Sequence, residues 1–169
     1  ISLLLITVAI VLGVVYLTAE EQSQRRLTHL RDYAEEAIIH ELASLVDAQM
    51  DTLVTAMGNT TSHEQRAAAI GHLLSQTFFW DNDSGYFFAY DDEHTCVALP
   101  TAPHNQGSDF SHIEDPDGVM IVQEFVKTAF SSEGRGVVRY MWPKPGKDGN
   151  KEDQPKLTFV ARIPGTRFL

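Results

Sequence analysis

The residues best suited to binding a ligand in this 169-residue sequence lie beside a polar turn. Side chains at positions i and i+2 of a strand share a face, so Tyr140 and Trp142 of the segment RYMWPKPG point the same way. Lys144 and Lys156 lie at the two ends of the polar stretch that follows. A phenol hydroxyl, an indole N–H and an ammonium group are all hydrogen-bond donors, so together they could bind a small polar ligand. We expect Lys156 to supply a positive charge to this group, with a solvated hairpin lysine as the alternative, and Lys144 to face water.

A second aromatic strand is predicted in the segment YFFAY, where Tyr86, Phe88 and Tyr90 share one face. Cross-strand pairing in a hydrophobic core explains a ring such as Phe88 well. It explains Tyr86, Tyr140 and Trp142 less well, because a buried hydroxyl or indole N–H needs a hydrogen-bond partner. We therefore predict a small pocket with mostly apolar walls and a few polar groups that face its interior. The polar rings of this predicted pocket are Tyr86, Tyr140 and Trp142.

The elements that must position this pocket are helices and antiparallel strands. A helix is predicted after TSHEQ, followed by a hairpin over residues 86–99 and a long loop at 100–118. Asp115 is the predicted N-cap of the next helix, which leads into the strands GVVRYMW and KLTFVARI. Helices segregated around antiparallel strands make an α+β fold, with its ligand-binding domain predicted at 59–169.

The N-terminal residues are almost entirely aliphatic. A helix over residues 1–19 would be about 28 Å long, close to the roughly 30 Å of a bilayer core. The hydrophobic part of a signal peptide is shorter and ends in a small-residue cleavage site, and a buried core helix usually keeps one polar face. We therefore predict a transmembrane helix at 1–19. Because the first residue is not methionine, we expect part of this span to be missing.

An apolar stripe continues along a second predicted stretch of helix, 20–58. Leu27, Leu30 and Ile38 belong to a series spaced by three and four residues, and Gly58 provides a C-terminal stop. The stripe could pack on its own domain. A helix this long would, however, extend beyond a domain of ordinary size, so we expect a parallel homodimer through the membrane-proximal part.

The formal charge of −10 and the single cysteine exclude some classes of protein. Nucleic-acid binding needs a basic surface, and Arg25 and Arg26 are the only paired basic residues. Cys96 has no partner for an intrachain disulfide, so packing must hold the core. An acidic domain can still bind an anion, because that contact is local and short-range.

Three other kinds of function stay open as alternatives. Cys96 and His94 are the one close nucleophile–base pair, but no oxyanion-type glycine motif follows, so we expect no enzyme activity and no catalytic residue. His94, His104 and His112 lie in or near the long loop, and DNDSG matches part of a calcium loop, so a metal site is the second alternative. The third is a coiled-coil tether without a ligand. No cofactor is predicted.

Four motifs follow the predicted membrane helix and long helix. They are GYFFAYD, IEDPDGVMIVQEFVKTAF, GVVRYMWPKPG and PKLTFVARIP. This succession resembles the single-Cache family, the extracytoplasmic ligand-binding domains of bacterial chemoreceptors and sensor kinases. The resemblance covers roughly residues 19–169.

The resemblance implies a PAS-like central antiparallel sheet, with a long N-terminal helix continuous with the transmembrane helix. It implies as ligand a small organic acid of two or three carbons, such as acetate, propionate or pyruvate. The residues that match the aromatic strand motifs and the lysine before the last strand are Tyr86, Phe88, Tyr140, Trp142 and Lys156. Two departures concern the ligand, since Leu99-Pro100 stands where the family often has His-Pro, and GTRFL replaces Trp-Gly-Trp.

The resemblance also implies a location and an output. The sensor domain would lie on the periplasmic side of the bacterial inner membrane, and closure of the long loop over the ligand would act on the long helix. We expect a methyl-accepting chemotaxis receptor first, with a histidine kinase or a diguanylate cyclase as alternatives. We expect the output module beyond residue 169.

Overall fold

The computed structural model describes residues 2–58, 60, 62–75, 77–80, 85–145 and 151–169, without the side chains of 2–15, 144, 145 and 151. The side chain of Lys144 and residues 81–84 of the DNDSG motif therefore lie outside the described part. The chain divides into two compact units, residues 1–41 and residues 42–169.

The first unit belongs to helix α1, whose bounds are Ser2–Met57. Arg25 and Glu21 form an exposed ion pair 2.6 Å long, one helical turn apart. Among the stripe residues, Leu27 and Leu30 are exposed in the single chain. These two side chains are therefore not covered by other residues of the first unit.

The predicted transmembrane helix at 1–19 falls mostly on residues whose side chains are not described. Their backbone is helical from Ser2 onward. In the part of the chain that is described, no helix combines the length and the apolar character needed to cross a bilayer.

The second unit contains the other elements. Helix α1 ends at Met57 as predicted, and Gly58 has the positive φ of 36° that suits a glycine stop. The remaining helices are α2 (His63–Leu74) and α3 (Ile121–Ala129), with a 3₁₀ turn at Pro103–Asn105. The strands are β1 (Phe78–Phe79), β2 (Gly85–Tyr86), β3 (Ala89–Tyr90), β4 (Cys96–Ala98), β5 (Arg135–Pro145) and β6 (Lys151–Ala161).

The predicted N-cap role of Asp115 is wrong. Helix α3 begins at Ile121, several residues later. The Asp115 carboxylate instead accepts hydrogen bonds from the backbone N–H groups of Asp117 and Val119, at 3.0 and 2.8 Å. An aspartate that bonds the backbone ahead of it closes a turn rather than starting a helix.

The strands pair antiparallel, as predicted, but as two-stranded ladders. In the described residues, β1 pairs with β2, β3 with β4 and β5 with β6. Within the β3–β4 pair, the register shifts between Ala89 and Tyr90. At the edge of β3, Tyr90 and Leu169 exchange two backbone hydrogen bonds, of 3.3 and 3.0 Å. The last residues of the chain therefore extend the sheet at β3.

The domain has two hydrophobic clusters, a front cluster that includes Phe125 and Tyr140 and a back cluster that includes Leu53 and Ala89. The β5–β6 hairpin contributes to the front cluster. Its front face carries Val138 and Tyr140, which pack with Phe125 of α3. Its back face carries Leu157 and Phe159, which lie beside the part of α1 that belongs to the second unit. Because strand residues alternate between faces, the hairpin packs into the front cluster with one face and turns its other face toward α1.

The YFFAY segment shows the same division. Phe88 and Tyr90 join the front cluster, whereas Phe87 and Ala89 join the back cluster. The side chains at 86, 88 and 90 thus lie on the same side as Tyr140, as the alternation predicts.

Candidate functional site

The predicted pocket residues surround one small cavity on the front face of the hairpin. This front cavity has a volume of about 20 Å³. The predicted residues among its walls are Tyr86, Phe88, Tyr140, Trp142 and Lys156. The other walls come from α3, the long loop and nearby strands: Tyr90, Leu99, Phe110, Ile113, Ile121, Val122 and Phe125.

Lys156 lies at the polar end of the front cavity. Its Nζ donates a hydrogen bond of 2.7 Å to the hydroxyl of Tyr86 and lies 5.8 Å from the centre of the Trp142 ring. Tyr140 is its direct partner across the β5–β6 ladder. The ammonium is thus held between a phenol and an indole ring, where its attraction to the ring faces adds to the hydrogen bond. This geometry disfavours the alternative of a freely solvated hairpin lysine.

Two buried tyrosines supply neutral hydroxyl groups. The Tyr140 hydroxyl and Thr158 Oγ1 are 3.0 Å apart and hydrogen-bonded. Burial raises the pKa of Tyr140 and of Tyr90 well above the ordinary phenol value. Both groups therefore stay protonated at physiological pH and can donate a hydrogen bond.

A chain of aromatic rings forms the apolar wall. The rings of Phe88 and Phe125 stack with centres 5.4 Å apart, and Phe125 meets Tyr140 edge-on at 5.5 Å. Trp142 continues the chain, 6.1 Å from Tyr140. Such offset and edge-on pairs are favourable beyond the area they bury, so they stabilise this wall.

The long loop is tied to the site strand by Asp115. Its Oδ2 accepts a hydrogen bond of 2.8 Å from the backbone N–H of Met141, between Tyr140 and Trp142. This bond is the main cause that lowers the pKa of Asp115, and the bond from Val119 contributes as well. The carboxylate therefore joins the turn before α3 to the strand that carries the aromatic pair.

Sequence reasoning missed Tyr90 and Thr158 as cavity and site residues. Each lies two positions from a predicted residue, Phe88 or Lys156, so strand alternation was the available signal. It also missed the contact of Asp115 with β5, because the sequence predicted only a helix N-cap at that residue. Leu99 lines the cavity where the resembling family often has histidine, which leaves the wall apolar there.

The residues of the enzyme and metal alternatives are placed unfavourably. Cys96 is fully buried, and burial raises its pKa to about 11, so its thiol stays protonated and unreactive near neutral pH. Within the described residues, no group of three or more His, Cys, Asp or Glu side chains is placed to hold a metal ion.

The size of the front cavity limits what can enter. Holding one water molecule takes about 10–15 Å³ of such volume, so about 20 Å³ leaves room for little more than one water molecule. A ligand of several heavy atoms can enter only if a wall moves outward. The long loop forms part of that wall through Phe110 and Ile113.

Comparison of the sequence with known proteins finds one domain family over most of the chain. A family model described as Cache domain matches residues 15–167. Sensor histidine kinase MctS of Rhizobium johnstonii is 32% identical over 129 residues, which is 76% of this chain and 26% of the kinase. Methyl-accepting chemotaxis protein McpP of Pseudomonas putida is 36% identical over 69 residues, 41% of this chain and 11% of the receptor. The chain thus spans only a small part of these relatives.

Two solved structures share the fold. A periplasmic sensor domain of a chemotaxis protein has a TM-score of 0.54 and 33% identity, covering 79% of this chain and 86% of that chain. A structure that describes carboxylic acid recognition by a Cache chemosensory domain has a TM-score of 0.57 and 24% identity, covering 85% and 92%. At that lower identity the likeness shows the fold alone.

Proposed function

Because the chain belongs to the Cache domain family, we propose that it is the ligand-binding sensor part of a bacterial methyl-accepting chemotaxis receptor, of the single-Cache type. Cache domains are ligand-binding modules of chemoreceptors and sensor kinases rather than catalytic units. The proposed ligand is a small organic acid of two or three carbons, such as acetate, propionate or pyruvate.

The observation that carries this proposal is the ammonium group of Lys156 at a small aromatic cavity. Its hydrogen bond to Tyr86 and its position near Trp142 provide a cation and two donors at one place. A carboxylate entering there would accept hydrogen bonds from these groups in exchange for its water. The rings of Phe88 and Phe125 would cover its short carbon tail.

The charge balance favours a monocarboxylate. Among the described residues that line the front cavity, Lys156 is the only one with a formal charge. A second carboxylate would be buried without a partner, which is costly. A protein of the same fold recognises carboxylic acids, and this is consistent with the proposed ligand class.

Signalling would follow from closure around the acid. The front cavity is too small for such a ligand unless its wall moves, so the bound and free states must differ in the loop or the hairpin. Asp115 would pass the loop's position to β5. The other face of the same hairpin lies against α1, through which we propose that the signal leaves the domain.

The location and assembly are proposed from the relatives and the sequence. One similar structure is a periplasmic sensor domain of a chemotaxis protein, which supports an extracytoplasmic location for this domain. We propose that residues 1–19 form a transmembrane helix in the bacterial inner membrane. The exposed residues Leu27 and Leu30 would then pair with those of a second copy in a homodimer.

A sensor histidine kinase is the second candidate. It is favoured by the 32% identity to MctS over 76% of this chain. A diguanylate cyclase output, a metal-binding domain and a ligand-free dimerisation module are further alternatives.

The proposal is tested by thermal unfolding of the 169-residue chain in lipid nanodiscs. Acetate, propionate and pyruvate are added in separate titrations, with divalent metals as a further arm. We expect at least one acid to raise Tm in a saturable way, because a ligand that binds only the folded state stabilises it. Lys156→Glu should abolish this rise. Lys127→Glu makes the same charge change on the exposed side of α3 and should preserve it.

Two results would contradict the proposal. An acid-dependent rise in Tm that is unchanged in Lys156→Glu would remove Lys156 from the site. A rise with metals, and with no acid, would favour the metal-binding alternative.

A further inference from the structure

We propose that the back face of the hairpin holds a second ligand site, for an uncharged single-ring molecule. A cavity of about 140 Å³ lies there, much larger than the front cavity of about 20 Å³. One wall is the part of α1 that belongs to the second unit: Leu42, Val46, Gln49, Met50 and Leu53. The facing wall is formed by back-face residues of β6: Leu157, Phe159 and Ala161. This space is called the back cavity.

Tyr86, Lys156 and Thr158 also line the back cavity, and Tyr86 and Lys156 line both cavities. Strand alternation turns the polar groups of these residues to the front face. Lys156 Nζ is bonded to the Tyr86 hydroxyl at 2.7 Å, and Thr158 Oγ1 to the Tyr140 hydroxyl at 3.0 Å. Among the described lining residues, this leaves Gln49 and Trp80 as polar side chains, and neither is ionisable. A charged ligand would lose its hydration here without compensation. The occupant must therefore be neutral and largely apolar.

Aromatic rings shape one end of the back cavity. The Phe79 ring lies 5.0 Å from the Phe87 ring and 5.0 Å from the Trp80 ring. A Cβ atom at Gly85 would come within 2.2 Å of the Phe79 ring, so only glycine permits this ring position. Trp80 has a φ of 64°, which is uncommon for a bulky residue. Such strain persists where the surrounding structure requires it.

The size and lining point to a single ring. An apolar cavity of about 150 Å³ in another protein stays dry and takes up benzene. A substituted ring such as toluene fits a space of about 140 Å³, and the aromatic end offers it edge-on and offset contacts. The proposed ligand class is therefore a neutral monocyclic aromatic compound.

Such a ligand would act on the same hairpin as the acid. It would lie between α1 and β6, so its presence would set the packing of these two elements. The front cavity uses the other face of β6. The back cavity is thus a second input to the hairpin, and it does not depend on whether the front cavity binds acids.

The first test uses the methionine methyl groups of the whole chain in lipid nanodiscs. The sequence has four methionines, and Met50 lines the back cavity whereas Met120 and Met141 do not. With ¹³C-methyl labelling, toluene should shift the Met50 signal in a saturable way and give Overhauser contacts to it. The Met120 and Met141 signals should stay unchanged. Equal shifts of all four signals, or none at Met50, would overturn the site.

The second test fills the cavity from either wall. Ala161→Leu and Val46→Phe should each weaken the toluene effect on Met50 about tenfold or more, because the added carbons occupy the space of the ring. Either variant alone suffices if the other fails to fold. The proposal is wrong if toluene binds both filled variants as it binds the wild type.

The third test separates the two cavities. Lys156→Gln should leave the toluene response of Met50 intact and remove the acid-dependent rise in Tm. Loss of the toluene response in Lys156→Gln would contradict a separate, uncharged site. The absence of any acid response in the wild type would contradict the proposed function and leave the back cavity supported.

Discussion

At the scale of single residues, the front cavity is built from polar groups that satisfy one another. Lys156 bonds to Tyr86, and Tyr140 bonds to Thr158. A buried hydroxyl without a hydrogen-bond partner destabilises the folded state. Each of these two hydrogen bonds therefore satisfies two polar side chains. An entering carboxylate can compete for the Lys156 bond, because the ammonium still has donors to offer, whereas the Tyr140 bond mainly stabilises the hairpin.

The stabilising role of the Tyr140 bond can be measured with two substitutions. Tyr140→Phe should lower the free energy of unfolding by about 1–3 kcal/mol, because it leaves the buried Thr158 hydroxyl unpaired. Thr158→Val should have a similar effect. Urea unfolding of both variants and of the double variant gives the interaction energy.

The double variant should lose less stability than the sum of the two single losses, because it leaves no unpaired hydroxyl behind. Strictly additive losses would show that the two hydroxyl groups do not interact.

At the scale of elements, the contact between the long loop and β5 depends on one carboxylate. Asp115 accepts three backbone hydrogen bonds, from Asp117, Val119 and Met141. The first two shape the turn, and the third fastens it to the strand. Removal of the negative charge should therefore loosen the loop without dismantling the core.

Asp115→Asn should make the amide hydrogens of Val119 and Met141 exchange about tenfold or more faster, because the charged acceptor is lost and the loop opens locally. Exchange at Val160, in the buried part of β6, should not change. Asp117→Asn removes a charge from the same turn without removing an acceptor of the Met141 bond and is the matched control. Unchanged exchange at Met141 would show that another contact holds the loop.

The same variant tests the pH dependence of stability. The pKa of Asp115 in the folded chain is below its ordinary value of 3.8, so its contribution is complete above the unfolded value. That contribution is lost as pH falls through the pKa of the folded state, because the Asp115 carboxylate of the folded chain is then protonated. Thermal unfolding between about pH 6 and pH 3 should show a smaller loss of Tm in Asp115→Asn than in the wild type.

At the scale of the whole molecule, the described hairpin is a wall shared by two cavities of different chemistry. The front cavity is small and carries the ammonium of Lys156, and the back cavity is larger and apolar. Both ligand classes would act on one element, the hairpin, whose back face lies against α1.

Dimerisation through the exposed stripe can be tested by disulfide cross-linking in membranes. Native Cys96 is buried and its pKa is raised to about 11, so it should not react. Leu30→Cys should therefore cross-link rapidly between copies on oxidation, because a parallel pair brings equivalent stripe positions together.

Glu36→Cys lies on the opposite side of the helix and should cross-link much more slowly. Equal rates for the two cysteines would indicate random collision instead of a dimer through this stripe.

The sequence by itself determined which side chains share a face. Strand alternation placed Tyr86 and Phe88 on one side of their segment, and Tyr140 and Trp142 on one side of theirs. Gly58 likewise marked the end of α1. These are local relations, set by backbone geometry over a few residues, so they can be derived without knowledge of the fold.

Only the tertiary structure decided what lies between those faces. The bond from Met141 to Asp115 joins residues 26 positions apart, and no local pattern selects that carboxylate over its neighbours. The back cavity needs α1 and β6 to lie side by side, and its volume is what remains after their side chains have packed. Contacts between distant segments and the gaps they leave depend on the packing of the whole domain, which spacing along the chain does not encode.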